Sequence, residues 1–174
     1  MDKSNPLPLL AALAMVFAAA MPGMAIAQER SQPTLEFAAG SLFFPDDALV
    51  TETMIGGAAR FYLLPRISVG PEFAHIQGDN HSHLMLTGNL TVDLLSPVNG
   101  RPRRVNPFVV AGGGWYRTRE QFPNEIFTSS EGAFTAGGGV RALVGRRLVV
   151  GAEARIGWEL HLRLNGMVGV RLGK

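Results

Sequence analysis

The chain has 174 residues, 21 glycines, no cysteine and a formal net charge of +2. This length suits one domain with a sizeable buried region. The balanced charge argues against a nucleic-acid partner, and the lack of cysteine excludes a disulfide framework. Lysine occurs only at Lys3 and Lys174, so nearly all the positive charge is arginine. Because arginine favours fixed, bidentate ion pairs, this bias indicates that many charges are paired and enclosed.

The N-terminal residues have the pattern of an export signal. Met1–Asn5 carries one lysine, Leu7–Ala20 is an almost unbroken apolar run, and Ala25-Ile26-Ala27 has the small residues of a cleavage site. The apolar run is shorter than the ~20 residues that a spanning helix needs, although an uncleaved anchor is the alternative. We therefore expect a cleaved signal peptide at 1–27, a short N-terminal segment at 28–33 and a folded domain at 34–174.

Alternation between apolar and polar or very small residues dominates the rest of the chain. From Leu148 to Trp158 every even position is apolar, whereas the odd positions include Glu153 and Arg155. Successive side chains of a β-strand point to opposite faces, so this pattern predicts a strand with one apolar and one charged face. Turn-forming residues divide the domain into eight such strands, near 34–44, 50–63, 66–77, 84–95, 107–118, 132–144, 147–158 and 161–173.

Eight strands of about the ~9–11 residues that a tilted transmembrane strand needs predict an all-β, antiparallel, up-and-down barrel. In a soluble, lipocalin-like barrel the apolar face would point inward around a small apolar ligand, whereas in a membrane barrel it faces lipid. The polar face favours the membrane barrel, because it mixes arginines and acids with glycine and alanine, which suits a narrow lumen filled by ion pairs. The residues predicted to form this lumen network are Glu36, Arg60, Glu72, Asp93, Arg141, Glu153, Arg155, Arg163 and Arg171.

The opposite face is almost free of charge, as contact with hydrocarbon requires. The residues predicted to face lipid are Leu84, Leu86, Leu90, Val92, Leu148, Val150, Ile156, Leu162, Leu164, Val168 and Val170. Aromatic residues towards the strand ends are expected to form interfacial girdles, and these are Phe43, Phe61, Phe108, Tyr116 and Trp158. Eight strands leave a lumen just wide enough for side chains, so a solute-sized pore is disfavoured.

Three histidines, His75, His81 and His83, surround the turn Gly78-Asp79-Asn80. His81 and His83 with Asp79 offer two or three ligands of the kind that suit Zn²⁺ or Ni²⁺. The alternative is a polar loop that happens to contain histidines. The sequence favours this second interpretation, so neither a metal nor another cofactor is expected.

The longest exposed connection is predicted at Thr118–Ser130, and exposed loops commonly carry binding surfaces. We expect loop contacts at His81, His83, Phe122 and Phe127. No catalytic arrangement emerges, since the neighbours His81 and Ser82 would point to opposite faces of an extended chain. The sequence therefore predicts no enzyme activity.

Three short motifs resemble those of a known family. Asn106-Pro107-Phe108-Val109-Val110, which runs into Gly112-Gly113-Gly114, resembles the Pro-aromatic strand of the small outer-membrane β-barrel domain family, the OmpA-like and OmpX-like eight-stranded barrels. Gly138-Gly139-Val140-Arg141 followed by Leu148–Trp158 is similar to its penultimate hairpin, and Gly169-Val170-Arg171-Leu172-Gly173 is similar to its last strand. The resemblance covers about Thr34 to Lys174.

This resemblance implies an integral outer-membrane protein of a Gram-negative cell envelope. Its expected role is structural or one of surface interaction, and its expected state is a monomer. The implied partners are outer-membrane lipid and lipopolysaccharide, together with the barrel-assembly machinery during insertion. A nucleic-acid partner is not expected.

Overall fold

The computed structural model describes residues 32–44, 50–79, 81–98, 103–121 and 126–173. The expected signal peptide at 1–27 and most of the segment at 28–33 lie outside these residues. The strands are β1 (Thr34–Phe44), β2 (Val50–Leu64), β3 (Ile67–Gln77), β4 (His81–Asp93), β5 (Val105–Gln121), β6 (Ile126–Val144), β7 (Leu148–Gly157) and β8 (His161–Arg171). One turn of 3-10 helix, Trp158–Leu160, joins β7 to β8.

Each strand pairs antiparallel with the next, and β1 also pairs with β8, so the sheet closes into a barrel. The predicted eight-stranded, antiparallel, up-and-down barrel is therefore confirmed. We call the end that carries β1's first residue and β8's last residue the terminal end, and the opposite end the loop end. In the described part of the chain, no helix is long and apolar enough to span a membrane.

Three strands are longer at the loop end than the sequence predicted. β4 begins at His81 rather than 84, β5 continues to Gln121, and β6 begins at Ile126 rather than 132. Backbone pairing continues up to Gln121↔Ile126, and such pairing does not depend on whether the side chains are apolar. The predicted connection Thr118–Ser130 is thus mostly hairpin, and its tip at 122–125 lies outside the described residues.

Burial alternates along much of the sheet, less clearly in the glycine-rich and loop-end parts of β5 and β6, with charged, small and a few apolar side chains inside the barrel and the other apolar side chains outside. Each strand exposes a large apolar side chain on the outer face, for example Leu35, Ile55, Phe73, Leu90, Val109, Val140, Ile156 and Leu164. We call this continuous surface the apolar belt. On β6 the belt runs from Phe134 to Val144, which is eleven residues counted inclusively and matches the ~9–11 residues of a transmembrane strand.

Two aromatic residues of β5 occupy a different place from the one expected. Phe108 and Tyr116 are buried in the lumen and do not belong to a girdle on the outside. Both lie on the inward face of β5, where Gly112 and Gly114 between them remove the contrast that would have marked that face. Trp158, by contrast, is exposed and packs edge-on against Phe134 with ring centroids 5.9 Å apart.

Glycines on the inner face allow neighbouring strands of this narrow barrel to approach closely. A Cβ added at Gly137 would lie 2.1 Å from the carbonyl oxygen of Ala154 on β7. At Gly114 it would lie 2.0 Å from the carbonyl oxygen of Leu86 on β4. Real Cβ atoms do not approach backbone so closely, so the curvature of the sheet depends on glycine at these positions.

Candidate functional site

The middle of the lumen holds a closed network of four charges. Arg163 contacts Glu72 at 2.6 Å and Glu153 at 3.1 Å, and Arg155 contacts the same two carboxylates at 2.8 Å and 2.9 Å. The side chain of Asn89 donates a further hydrogen bond to Glu72 at 2.7 Å. Both arginine side chains are almost completely buried. We call this set the central network, and its formal charge is zero.

A second set of four charges lies nearer the terminal end. Glu36 contacts Arg60 at 2.7 Å and Arg141 at 3.5 Å, and Arg141 contacts Asp93 at 3.4 Å. The guanidinium carbon of Arg141 lies 3.7 Å from the ring centroid of Phe108, a cation–π geometry. This terminal network is also neutral. Neutral, well-paired sets avoid the large cost of an isolated buried charge.

The structure places all nine predicted lumen charges on the inner face, and eight of them belong to these two networks. The ninth, Arg171, is half-buried at the terminal end and makes no ion pair with a described residue. Two cavities of about 10 and 40 Å³ remain beside the networks, which is space for one or a few water molecules. Around the two networks the described lumen is therefore largely filled by side chains.

A third polar cluster, formed by Glu52, His81 and His83, lies at the loop end of the lumen. Glu52 contacts Nε2 of His81, and its other carboxylate oxygen lies 3.7 Å from Nε2 of His83. His83 is buried, and its Nδ1 lies 3.0 Å from the hydroxyl of Thr118. The His83 ring stacks on Tyr116 with centroids 5.0 Å apart. We call these three residues the histidine cluster.

The expected loop position of His81 and His83 is wrong. Both lie in β4, and because they are two residues apart they point to the same face, into the lumen. Their acidic neighbour is Glu52 on β2, whereas Asp79 is exposed and His75 lies on the outer face of β3. Glu52 was not predicted from the sequence as a lumen residue, although it has the same parity on β2 as the lumen residue Arg60.

All eleven residues predicted to face lipid lie on the outer face. Eight of them are exposed, and Leu84, Val92 and Val150 are half-buried by their neighbours. Phe127, one of the expected contact residues, is 57% exposed near the loop end of β6. Phe122 lies outside the described residues.

The fold is similar to those of solved outer-membrane proteins. The N-terminal β-barrel domain of OprF from Pseudomonas aeruginosa matches with a TM-score of 0.62 and 11% identity, over 82% of this chain and 98% of that one. Neisserial surface protein A matches with a TM-score of 0.64 and 10% identity, over 80% and 96%. Ail, the attachment invasion locus protein of Yersinia pestis, matches with a TM-score of 0.55 and 10% identity, over 80% and 95%.

The chain has the fold of a small outer-membrane β-barrel. No protein-family model and no curated sequence matches it. At these identities the similarity establishes the fold alone.

Proposed function

We propose that the chain is an integral outer-membrane protein with a structural or surface-interaction role and no catalytic activity. The observation that supports this proposal is the apolar belt around a closed barrel whose charges are buried inside. Soluble monomers rarely expose contiguous apolar patches larger than a few hundred Å², whereas here every strand exposes large apolar side chains on the outer face. Lipid hydrocarbon accommodates such a surface, and a closed barrel leaves no unpaired strand edge within it.

The β5–β6 hairpin is the best candidate for the surface role. Trp115 and Phe134 mark the loop-end limit of the belt on the two strands, and beyond them the exposed side chains include Arg117, Arg119 and Ser130. Tryptophan commonly lies at the interface between lipid and water. The hairpin therefore projects beyond the membrane. An even number of strands puts both termini at one end, which in barrels of this class is the periplasmic end, so the hairpin would reach the cell exterior.

The soluble, lipocalin-like alternative needs the opposite arrangement. Such a barrel would turn the leucines and valines inward around a cavity large enough for a ligand, typically about 300–1,000 Å³. Here Leu162 and Leu164 point outward while Arg163 between them is completely buried. The two cavities of about 10 and 40 Å³ are too small for that ligand class, and equally for a solute pathway.

Cell fractionation tests the membrane proposal. Expressed in a Gram-negative host, the protein should be recovered with outer membranes, require detergent for extraction and show a heat-modifiable gel shift. Recovery in the soluble periplasmic or secreted fraction would overturn the proposal. Expression should leave the mass of lipid A unchanged, and an altered mass would contradict the non-catalytic role.

The orientation can be tested by thiol labelling, because the chain contains no cysteine. Phe127→Cys near the hairpin tip should react with a membrane-impermeant maleimide on intact cells. The matched control Arg146→Cys, exposed in the turn between β6 and β7 at the terminal end, should react only after permeabilisation. Labelling of Arg146→Cys but not Phe127→Cys on intact cells would reverse the proposed orientation.

A further inference from the structure

Glu52 differs from the other buried acids of the lumen. Glu36, Glu72, Asp93 and Glu153 all contact arginine. Glu52 is 2% exposed, yet no arginine among the described residues contacts it, and its only charge-pairing neighbours are two imidazoles. One of its carboxylate oxygens has no hydrogen-bond partner among the described residues. A buried carboxylate needs a compensating positive charge, and imidazole supplies one only when protonated.

The three side chains converge on one point. One carboxylate oxygen of Glu52 and one ring nitrogen each from His81 and His83 all lie within 4.8 Å of one another. Ligand atoms around a tetrahedral Zn²⁺ lie about 3.3 Å apart, because each is about 2.0–2.1 Å from the ion. The His81 side chain is 30% exposed, so a small rotation of that ring is enough to close the set around an ion.

The surroundings of His83 hold its ring in the orientation that a ligand needs. When Nδ1 donates its hydrogen to the Thr118 hydroxyl 3.0 Å away, Nε2 presents a lone pair towards Glu52. A metal-bound histidine usually donates its second nitrogen to such a partner. Stacking on Tyr116 further restricts the ring. Gly78 provides the space beside the cluster, since a Cβ there would lie 2.5 Å from Nε2 of His81.

From this geometry we propose that Glu52, His81 and His83 bind one divalent transition-metal ion, and that Zn²⁺ fits best. Two imidazoles and one carboxylate form a borderline ligand set that suits Zn²⁺, and the absence of cysteine makes the set unsuitable for Cu⁺. Because the His81 side chain is 30% exposed, water could reach the ion there and fill the fourth coordination position. The ion would neutralise Glu52 and join β2 to β4 at the loop end. This site goes beyond the proposed membrane role and does not depend on it.

Metal titration of the full chain tests the site directly. The protein is expressed without a histidine tag, extracted in detergent, stripped with chelator and titrated with Zn²⁺ against a chromogenic competitor. We expect one Zn²⁺ per chain and an affinity at least about tenfold weaker in Glu52→Gln and His83→Gln. The matched control His75→Gln, on the outer face of β3, should bind like the unaltered chain. Equal affinity in all four proteins, or an equal loss in His75→Gln, would overturn the proposal.

A spectroscopic measurement on the unaltered chain covers the case in which a variant fails to fold. The heat-modifiable gel shift first identifies which variants are folded. X-ray absorption at the zinc edge of the loaded, unaltered protein should then show two imidazole ligands with further oxygen ligands. A spectrum with fewer than two imidazoles would contradict the proposal, whatever the behaviour of the variants.

Discussion

Arg163 lies in the centre of the barrel with no exposed surface and two carboxylate partners, Glu72 and Glu153. Alternation along β8 predicted that Arg163 points inward. In a membrane barrel the apolar face of a strand contacts lipid, so its charged face must point into the lumen. Its partner Glu72 could not be predicted, because residues on β3 and β8 meet only when the barrel closes, whereas Glu153 lies on the neighbouring strand β7. Glu52 was missed for a related reason, since nothing near it in sequence indicates the histidines of β4.

Removing one arginine of the central network should destabilise the barrel. In Arg163→Met, two buried carboxylates would share one remaining arginine, Arg155, and we expect a loss of about 3–5 kcal/mol in the free energy of unfolding. Urea titration of the protein in lipid vesicles measures this loss. The control Arg117→Met, exposed beyond the belt, should change stability by no more than about 0.5 kcal/mol. A similar small change in Arg163→Met would show that the network contributes little.

At the scale of the element, strand identity was predictable and strand length was not. Period-two alternation marks a strand wherever one face is apolar, which holds within the belt. Beyond the belt the residues of β5 and β6 are mostly polar or small, apart from Ile126 and Phe127, so the pattern ends although backbone pairing continues from Arg117↔Ser130 to Gln121↔Ile126. The predicted start of β4 at 84 was too late for the same reason, because His81, Ser82 and His83 are all polar and show no alternation.

The close approach of β6 and β7 can be tested with a single methyl group. In Gly137→Ala the new Cβ would overlap the backbone of Ala154, so we expect a loss of about 1–3 kcal/mol in unfolding free energy. Gly88→Ala is the matched control, because a Cβ there meets nothing within 4 Å. Its stability should be unchanged or raised by up to about 1 kcal/mol. Equal stability of the two variants would mean that the strands can separate without cost.

At the scale of the whole molecule, the direction of the two faces was the decisive prediction. Alternation alone is compatible with a soluble barrel and with a membrane barrel. The composition of the polar face distinguished them, because arginines and acids separated by very small residues suit an enclosed lumen. The histidine cluster was not predictable in this way. His81 and His83 come before Leu84, the first apolar residue of β4, so no alternation around them showed which way they point.

A charge placed on the belt should be costly in lipid. Leu164→Arg, on the outer face of β8, should lower the free energy of unfolding in vesicles by about 2–4 kcal/mol if Leu164 lies near the membrane midplane. Phe127→Arg, beyond the belt near the loop end of β6, should cost at most about 1 kcal/mol. Urea titration of both variants in the same lipid vesicles measures these two changes in the free energy of unfolding. A loss for Phe127→Arg as large as for Leu164→Arg would place the membrane elsewhere on the barrel.

The pairing of β1 with β8 has a consequence for assembly. Thr34 lies opposite Arg171, which is 137 positions later in the chain, and Leu172 donates a backbone hydrogen bond to Pro33 at 2.7 Å. Until this seam forms, any partly assembled sheet has two open edges that hydrocarbon cannot satisfy. The central network shares this requirement, because Glu72 of β3 meets Arg163 only after β8 is in place. Insertion is therefore expected to be all-or-none, with the last strand converting an aggregation-prone sheet into an edgeless cylinder.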